Sequence, residues 1–515
     1  MRIFSLTASV LLLSVAPHAF AQAAPPADAT VPAGAARPND APNAEVPGPA
    51  APVPAPMPAA DPAPAYPAYP APTVAPPEAR VGDAPLDNGP KPVMGKWATT
   101  FYGFVEFDAI HDSTQPGLTT INDSEGNGAF AKPGTYAGTH GQTLFGARNS
   151  RIGFKINAPE TNGVKASAVL EMDFLGNQPT STASQAALIA NPAFRVRHMA
   201  LKLEDPVVDV LLGQYWQLFG WQSAFHPNTV EIQGVPGQVY SRAPQARLSK
   251  TIKTKPVNLD IAIAASRPGS RNSEEPDGQA GIKLTINDWK GLHTAGSAGT
   301  SVDGLSLGVS AVGRRFVLPA LDQTGNPTST SGRAKTKGWG VSFDALLPVI
   351  PATMENRANA LTLTGSIVTG SGISDYYTGL SGGVSFPAPP NPTMATPAPT
   401  YAADIDNGMV TFDATGKIHT IDWTSWIVGA QYYLPPSGSV FVSVNYSGMH
   451  SGNAADYTTK KGSVFDKSYW MDVNLFADVT SAVRLGAEYA YFHQTYADNT
   501  TAKNTRLQFS GFYLF

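Results

Sequence analysis

Charged side chains recur at every second residue in several short stretches of this chain. Arg151 shares parity with Gly153 and Lys155, while Ile152, Phe154 and Ile156 take the other. Glu171 and Asp173 alternate with Leu170, Met172 and Phe174, and Arg247 sits with Ser249 opposite Leu248. Successive side chains of a strand point to opposite faces, so each stretch presents charge on one side and hydrocarbon on the other. Charges arrayed along a wetted wall act on passing ions: rings of Arg or Lys favour anions, and rings of Asp or Glu favour cations. The basic candidates are Arg148, Arg151, Arg195, Arg197, Arg242, Arg247 and Lys250, and the acidic ones are Glu106, Asp108, Glu171 and Asp173. For any one basic residue the plainer alternative is a solvated rim or a lipid-headgroup contact.

Parity does not place all of them. Arg148 falls out of step with Arg151 and needs a bulge, or a position above the lipid. Arg195 and Arg197 share parity with Met199, Leu201 and Leu203. A lipid-facing Arg at the midplane of a barrel costs ~2–4 kcal/mol. The expectation is therefore inward arginines with Leu201 buried lower down, or a subunit interface that covers them. Glu171 and Asp173 either stand across from the arginines and set up a transverse field, or pair with them and pin a loop.

Other chemistry is poorly provided for. Nine histidines are scattered with no His-x-x-x-His pair, and cysteine is absent, which leaves no thiolate site or disulfide framework. His198 and His226 read as pore-lining or loop residues. No nucleophile elbow or phosphate loop stands out. The expectation is a non-enzyme without cofactor or metal; the competing class is a barrel hydrolase pairing Ser with His on its wall. A net charge of −4 argues against nucleic acid, which needs a basic footprint.

The elements that must position these residues are strands. Alternation gives sixteen candidates: 98–109, 145–157, 164–175, 194–204, 207–216, 244–254, 256–267, 279–288, 305–316, 337–347, 359–370, 424–434, 439–449, 468–478, 482–493 and 506–515. The last ends on Phe515 with Leu507, Phe509 and Tyr513 on the same face. Only 14% of residues are charged and 42% are apolar, yet after the N-terminus no apolar run is long enough for a spanning helix. Alternating strands conceal hydrophobicity in this way, since each gives half its residues to lipid. A closed barrel satisfies its own backbone in a membrane, which an open sheet cannot do. The fold class is thus an all-β, transmembrane antiparallel barrel of about sixteen strands.

Connections give a separate check. Short links (204–206, 254–256, 435–438, 479–481) alternate with long ones (110–144, 176–193, 217–243, 268–277, 317–336, 371–423, 450–467), as periplasmic turns alternate with outer loops. The connection 288–304 breaks the rule, as a miscounted strand or a plug-like turn. Loop 217–243, rich in Phe, Trp, Gly and Pro, is too apolar to dangle in water and should fold into the barrel; the alternative is packing on a neighbouring subunit. Trp97, Phe101, Tyr102, Trp216, Phe219, Trp221, Tyr432, Tyr433, Tyr469 and Trp470 are placed like interfacial girdles.

The N-terminus predicts an export signal over 1–21, with Arg2, an apolar stretch from Ile3 to Val15, and a small-residue cleavage site at Ala19-Phe20-Ala21. Residues 22–96 are dominated by Ala and Pro. Proline removes donors and fixes φ, so this tract should be a disordered, extended periplasmic arm, free or in contact with the cell wall. The barrel domain then runs over 97–515.

Several segments are familiar together: Tyr102–Asp108 (YGFVEFD), Arg148–Lys155 (RNSRIGFK), Phe194–His198 (FRVRH), Gly213–Trp216 (GQYW), Phe219–Trp221 (FGW) and Pro236–Arg242 (PGQVYSR). They resemble the DcaP-like outer-membrane porins, most strongly over 97–255 and only in topology beyond. The resemblance implies a homotrimer of sixteen-stranded barrels and small anionic solutes such as dicarboxylates. It also implies that arginines of these strands and of loop 217–243 line a constriction. Some members carry a coiled-coil-prone N-terminal segment where this chain has its Pro/Ala tract. The expected function is passive diffusion of small hydrophilic solutes across the outer membrane. A structural barrel tethered to the wall through the arm is the alternative.

Overall fold

The computed structural model describes residues 93–94, 97–115, 131–176, 193–230, 235–270, 272–295, 299–322, 326–377, 405, 408–413, 415–457 and 461–515. The expected export signal and nearly all of the Pro/Ala arm lie outside them. Sixteen antiparallel strands form one closed barrel. They are β1 (Trp97–Asp112), β2 (Gln142–Gly146 resuming as Arg151–Asn157), β3 (Lys165–Gly176), β4 (Ala193–Glu204), β5 (Asp209–Trp216), β6 (Arg242–Lys253), β7 (Val257–Ser266) and β8 (Asp277–Ala295). The second half comprises β9 (Gly299–Pro319), β10 (Arg333–Ile350), β11 (Leu361–Ser371), β12 (Asp422–Tyr433), β13 (Val440–Ser451), β14 (Phe465–Asp478), β15 (Val483–Tyr496) and β16 (Thr501–Leu514). Each pairs with the next, and β16 returns to β1 with Tyr513 opposite Val105 and Leu507 opposite His111. Gly103 and Phe515 exchange both backbone hydrogen bonds across that seam, at 2.9 and 3.1 Å.

All sixteen expected strands are present, with ends shifted by a few residues. The period-two pattern explains why. On β7, Ile261 and Ile263 are exposed while Ala262 and Ala264 are buried; on β15, Leu485 and Tyr489 are exposed while Arg484 and Glu488 are buried. Hydrocarbon outside and polar groups inside is the inverse of a soluble protein, and it suits a barrel whose solvent is lipid.

The lumen face differs from a plain watery channel, because much of it is packed. Asp108, Asp112, Asp472, Asn474, Asn504 and Ser510 are nearly inaccessible. They bond polar groups of neighbouring strands and loops, as Ser510 Oγ does to Asp108 (2.5 Å), Arg506 to Asp112 (2.9 Å) and Asn504 to Thr114 (3.0 Å). Buried polar groups persist only when partnered in this manner.

Two segments fill further space. The described parts of the connection between β5 and β6, 217–230 and 235–241, fold inside: Gly220 N–H donates to Ser310 Oγ on β9 (2.7 Å) and Val230 N–H to Asn474 Oδ1 on β14 (2.8 Å). Ser447 Oγ donates to the Pro236 carbonyl oxygen (2.5 Å). The loop therefore crosses from the β5–β6 wall to the opposite one. Its Trp221 needs space, and Gly281 and Gly308 supply it: a Cβ on either glycine would lie about 3 Å from the indole.

The second segment corrects the connection 288–304, most of which is strand. β8 runs to Ala295 and β9 begins at Gly299, after an irregularity between Ile286 and Lys290 that turns the hairpin inward. Leu292 is fully buried with Val230 of the loop and with Tyr433, Phe441 and Phe476. Thr294 N–H donates to Gln431 Oε1 (2.9 Å), and the His293 ring bonds the His226 carbonyl oxygen of the loop (3.1 Å). The plug-like alternative describes it well.

The girdle assignment holds for Trp97 and Tyr469, which are exposed. It fails for Tyr102, Trp216, Phe219, Tyr433 and Trp470, all buried. Parity, rather than nearness to a strand end, decides which side an aromatic takes.

Candidate lumenal site

A grouping of charged residues lies where β2, β3, β4, β5 and β6 face the inserted loop. It encloses a cavity of about 710 Å³. Arg151, Glu171, Arg197 and Arg247 line it, as do Lys155, Lys202, Glu204, His198, Tyr102, Tyr215, Trp216, His226 and Tyr240.

A bulge settles the parity conflict on β4. Glu171 pairs with His198 but Met172 pairs with Val196, so Arg197 is an extra residue in the ladder. A bulge opposes two residues to one and resets which face follows. Arg195, Arg197 and His198 turn inward, and Met199 and Leu201 are exposed on the outer wall. Leu201 is thus on the lipid side, not buried lower down as expected.

The carboxylates stand beside the arginines on the neighbouring strand rather than across the lumen. Asp173 receives both arms of Arg195 (2.9 and 2.6 Å) and Arg197 Nη1 (3.1 Å). Glu171 receives Arg197 Nε (2.7 Å) and the Tyr102 hydroxyl (3.0 Å), with Arg151 Nε at 3.7 Å. Of the two alternatives, this is the pairing one. Arg197 also donates to the Tyr240 hydroxyl of the loop (3.3 Å), which ties the inserted segment to the cluster. Charge-assisted bonds of this bidentate kind fix orientation as well as energy.

The other candidates scatter. Arg148 sits in the turn that interrupts β2, buried, with Nε donating to the Phe174 carbonyl oxygen (3.3 Å). Arg242 stacks over Trp216 (4.9 Å) and Tyr240 (5.3 Å) at the start of β6. Among the described residues Arg247 reaches neutral acceptors alone, Gln245 Oε1 (2.9 Å) and the Trp216 carbonyl oxygen (2.5 Å). Lys250 stands apart, bonding the carbonyl oxygens of Asp205 and Pro206 at the opposite end of β6 from Arg242. Glu106 and Asp108 face inward on β1 but are wholly buried. Asp108 is held there by Gln508 and Ser510.

Sequence reasoning missed the aromatic part of the cavity, Tyr102, Tyr215, Trp216 and Tyr240, and the basic pair Lys155 and Lys202 as lining residues. The parity of Lys155 with Arg151 already pointed inward. The aromatics gave no signal separable from a girdle.

A closed sixteen-stranded barrel with an apolar exterior, a polar lumen and a loop folded across it is the fold of an outer-membrane porin. Among solved structures, the chain is similar to the outer-membrane channel DcaP of Acinetobacter baumannii, with a TM-score of 0.57 at 18% identity over 81% of this chain and 97% of that one. An anion-selective porin from Comamonas acidovorans also matches, at TM-score 0.45 and 12% identity over 81% of this chain and 100% of that one. No protein-family model and no curated protein matches the chain.

Proposed function

We propose that this chain is an outer-membrane porin for small hydrophilic solutes, with a preference for anions such as dicarboxylates. One observation carries the anion preference. Five basic side chains line the lumenal cavity (Arg151, Lys155, Arg197, Lys202, Arg247) against two acidic ones (Glu171, Glu204). With Glu171 and Asp173 already committed to arginines, Arg247 keeps a charge that no carboxylate among the described residues offsets. Basic linings of this kind lower the barrier for anions. The wider reading adds three parts: assembly as a homotrimer in outer-membrane lipid, an export signal over 1–21, and a periplasmic arm over 22–96, free or in contact with the cell wall. The fold shared with the DcaP channel supports the barrel part of this reading.

The test is a reversal potential in planar bilayers under a salt gradient. Wild type should pass chloride more readily than potassium, and Arg247→Ala or Arg151→Ala should lower that ratio about two- to fivefold. This is the scale of one partly screened charge, ~0.5–1 kcal/mol. An unchanged potential removes both residues from the selective region, and an electrically silent barrel removes the pore. Competition by dicarboxylates and by sugars then separates solute classes.

A further inference from the structure

The outward column of β10 changes character at a single point. Trp339, Val341, Phe343, Ala345, Leu347 and Val349 occupy alternate positions and face out. Above Trp339 the same face continues as Lys337, Lys335 and Arg333, all exposed. Ten residue steps from Val349 to Trp339, at ~3.4 Å each and a tilt of ~35–45°, span ~24–28 Å along the barrel axis. That matches the ~25 Å apolar band of an outer-membrane barrel. Trp339, half exposed, then marks the interface, and the three cations above it stand at headgroup height.

The neighbouring strand adds a fourth. Arg315 on β9 pairs directly with Lys337 and shares outward parity with Val309 and Ala311. Two carboxylates reach the patch from the connection before β8. Glu275 pairs with Arg315, and Glu274 with Arg333, with Lys335 at 3.9 Å and Arg315 at 4.0 Å. Lys337 takes part in none of these ion pairs. Four cations against two carboxylates leave the patch positive, and it lies at the end of the barrel that carries the long connections. By the rule that such connections face outward, this is the outer leaflet.

We propose that this patch binds the phosphorylated headgroup of an outer-leaflet glycolipid. Lys335 and Lys337 contact its phosphate, and Trp339 packs at the boundary between its sugar and its acyl chains. The basic column is continuous with the apolar one beneath it, so one molecule meets both: chains against Phe343 and Val341, phosphate against the lysines. Free phosphate has no use for the lower half of that surface. The inference rests on the outer-membrane location proposed above, but not on ion flux.

The experiment uses the full chain in detergent micelles, with diphosphoryl lipid A, its dephosphorylated form and inorganic phosphate as probes. Wild type should bind the diphosphoryl form. Lys335→Ala/Lys337→Ala should bind it at least tenfold more weakly, with partial recovery in Lys335→Arg/Lys337→Arg and with unchanged heat-modifiable gel mobility as the check on folding. Equal binding by the alanine variant, equal binding of dephosphorylated lipid A, or full competition by millimolar phosphate would each overturn the proposal. So would an alanine variant that keeps lipid binding but loses its oligomers, since the patch would then be a contact between copies.

Discussion

Arg197 is a tightly constrained charge on the lumenal wall. It is almost wholly buried and joins Glu171, Asp173 and Tyr240. Removing one member of a buried ionic group leaves the others uncompensated, at a cost of about 3–5 kcal/mol. Arg197→Ala should lower the urea unfolding free energy of the reconstituted barrel by that amount, whereas Arg247→Ala, whose acceptors among the described residues are neutral oxygens, should lower it by about 1.5 kcal/mol. Equal shifts would mean that the cluster does not hold the wall together. At this scale the sequence was informative where alternation was unbroken: Arg151, Glu171, Asp173 and Arg247 all face as their parity requires. At Arg195 and Arg197 the cost of a lipid-facing charge pointed inward correctly, but the bulge that permits it carries no compositional mark, so Leu201 was expected on the wrong side. At Arg148 the broken parity called for an irregularity, and the turn between the two halves of β2 is that irregularity.

Between residue and barrel stand the two segments that occupy the lumen. Trp221 lies against Gly281 and Gly308, each too close to the indole to accept a bulkier side chain without displacement. Gly308→Val should push the loop from its seat and change single-channel conductance, while Gly313→Val, on the outer wall with open space beside it, should leave it unaltered. A conductance that ignores Gly308→Val would mean that the loop does not bound the aperture. Replacing 289–302 with a tight turn should raise conductance, since it removes the Leu292 and Thr294 contacts made across the lumen. The loop's inward course was legible from its apolar content. The hairpin was not, because Lys290, Gly291, His293 and Ser301 dilute the alternation that would have marked it as strand.

For the whole molecule, strand number and order followed from periodicity and from the rhythm of short and long links. Closure came from the last strand meeting the first. Which polar residues are wet and which are packed did not follow, since parity gives direction but not occupancy. Asp472, Asn445 and Asn474 all point inward, and they are sealed beneath the loop rather than bathed in solute. The proposed homotrimer has a direct measurement: chemical cross-linking in mild detergent should give a species of three copies that collapses to one on boiling. A single copy as the largest species withdraws it.

The touch between His293 and the backbone at His226 joins a segment that enters from one rim to a segment that enters from the other. Together they make a strut through the interior, braced at both ends by wall strands. Length added to either half must be answered by the other, so insertions here should be poorly tolerated even though both halves began as connections, the places where a barrel is ordinarily most forgiving.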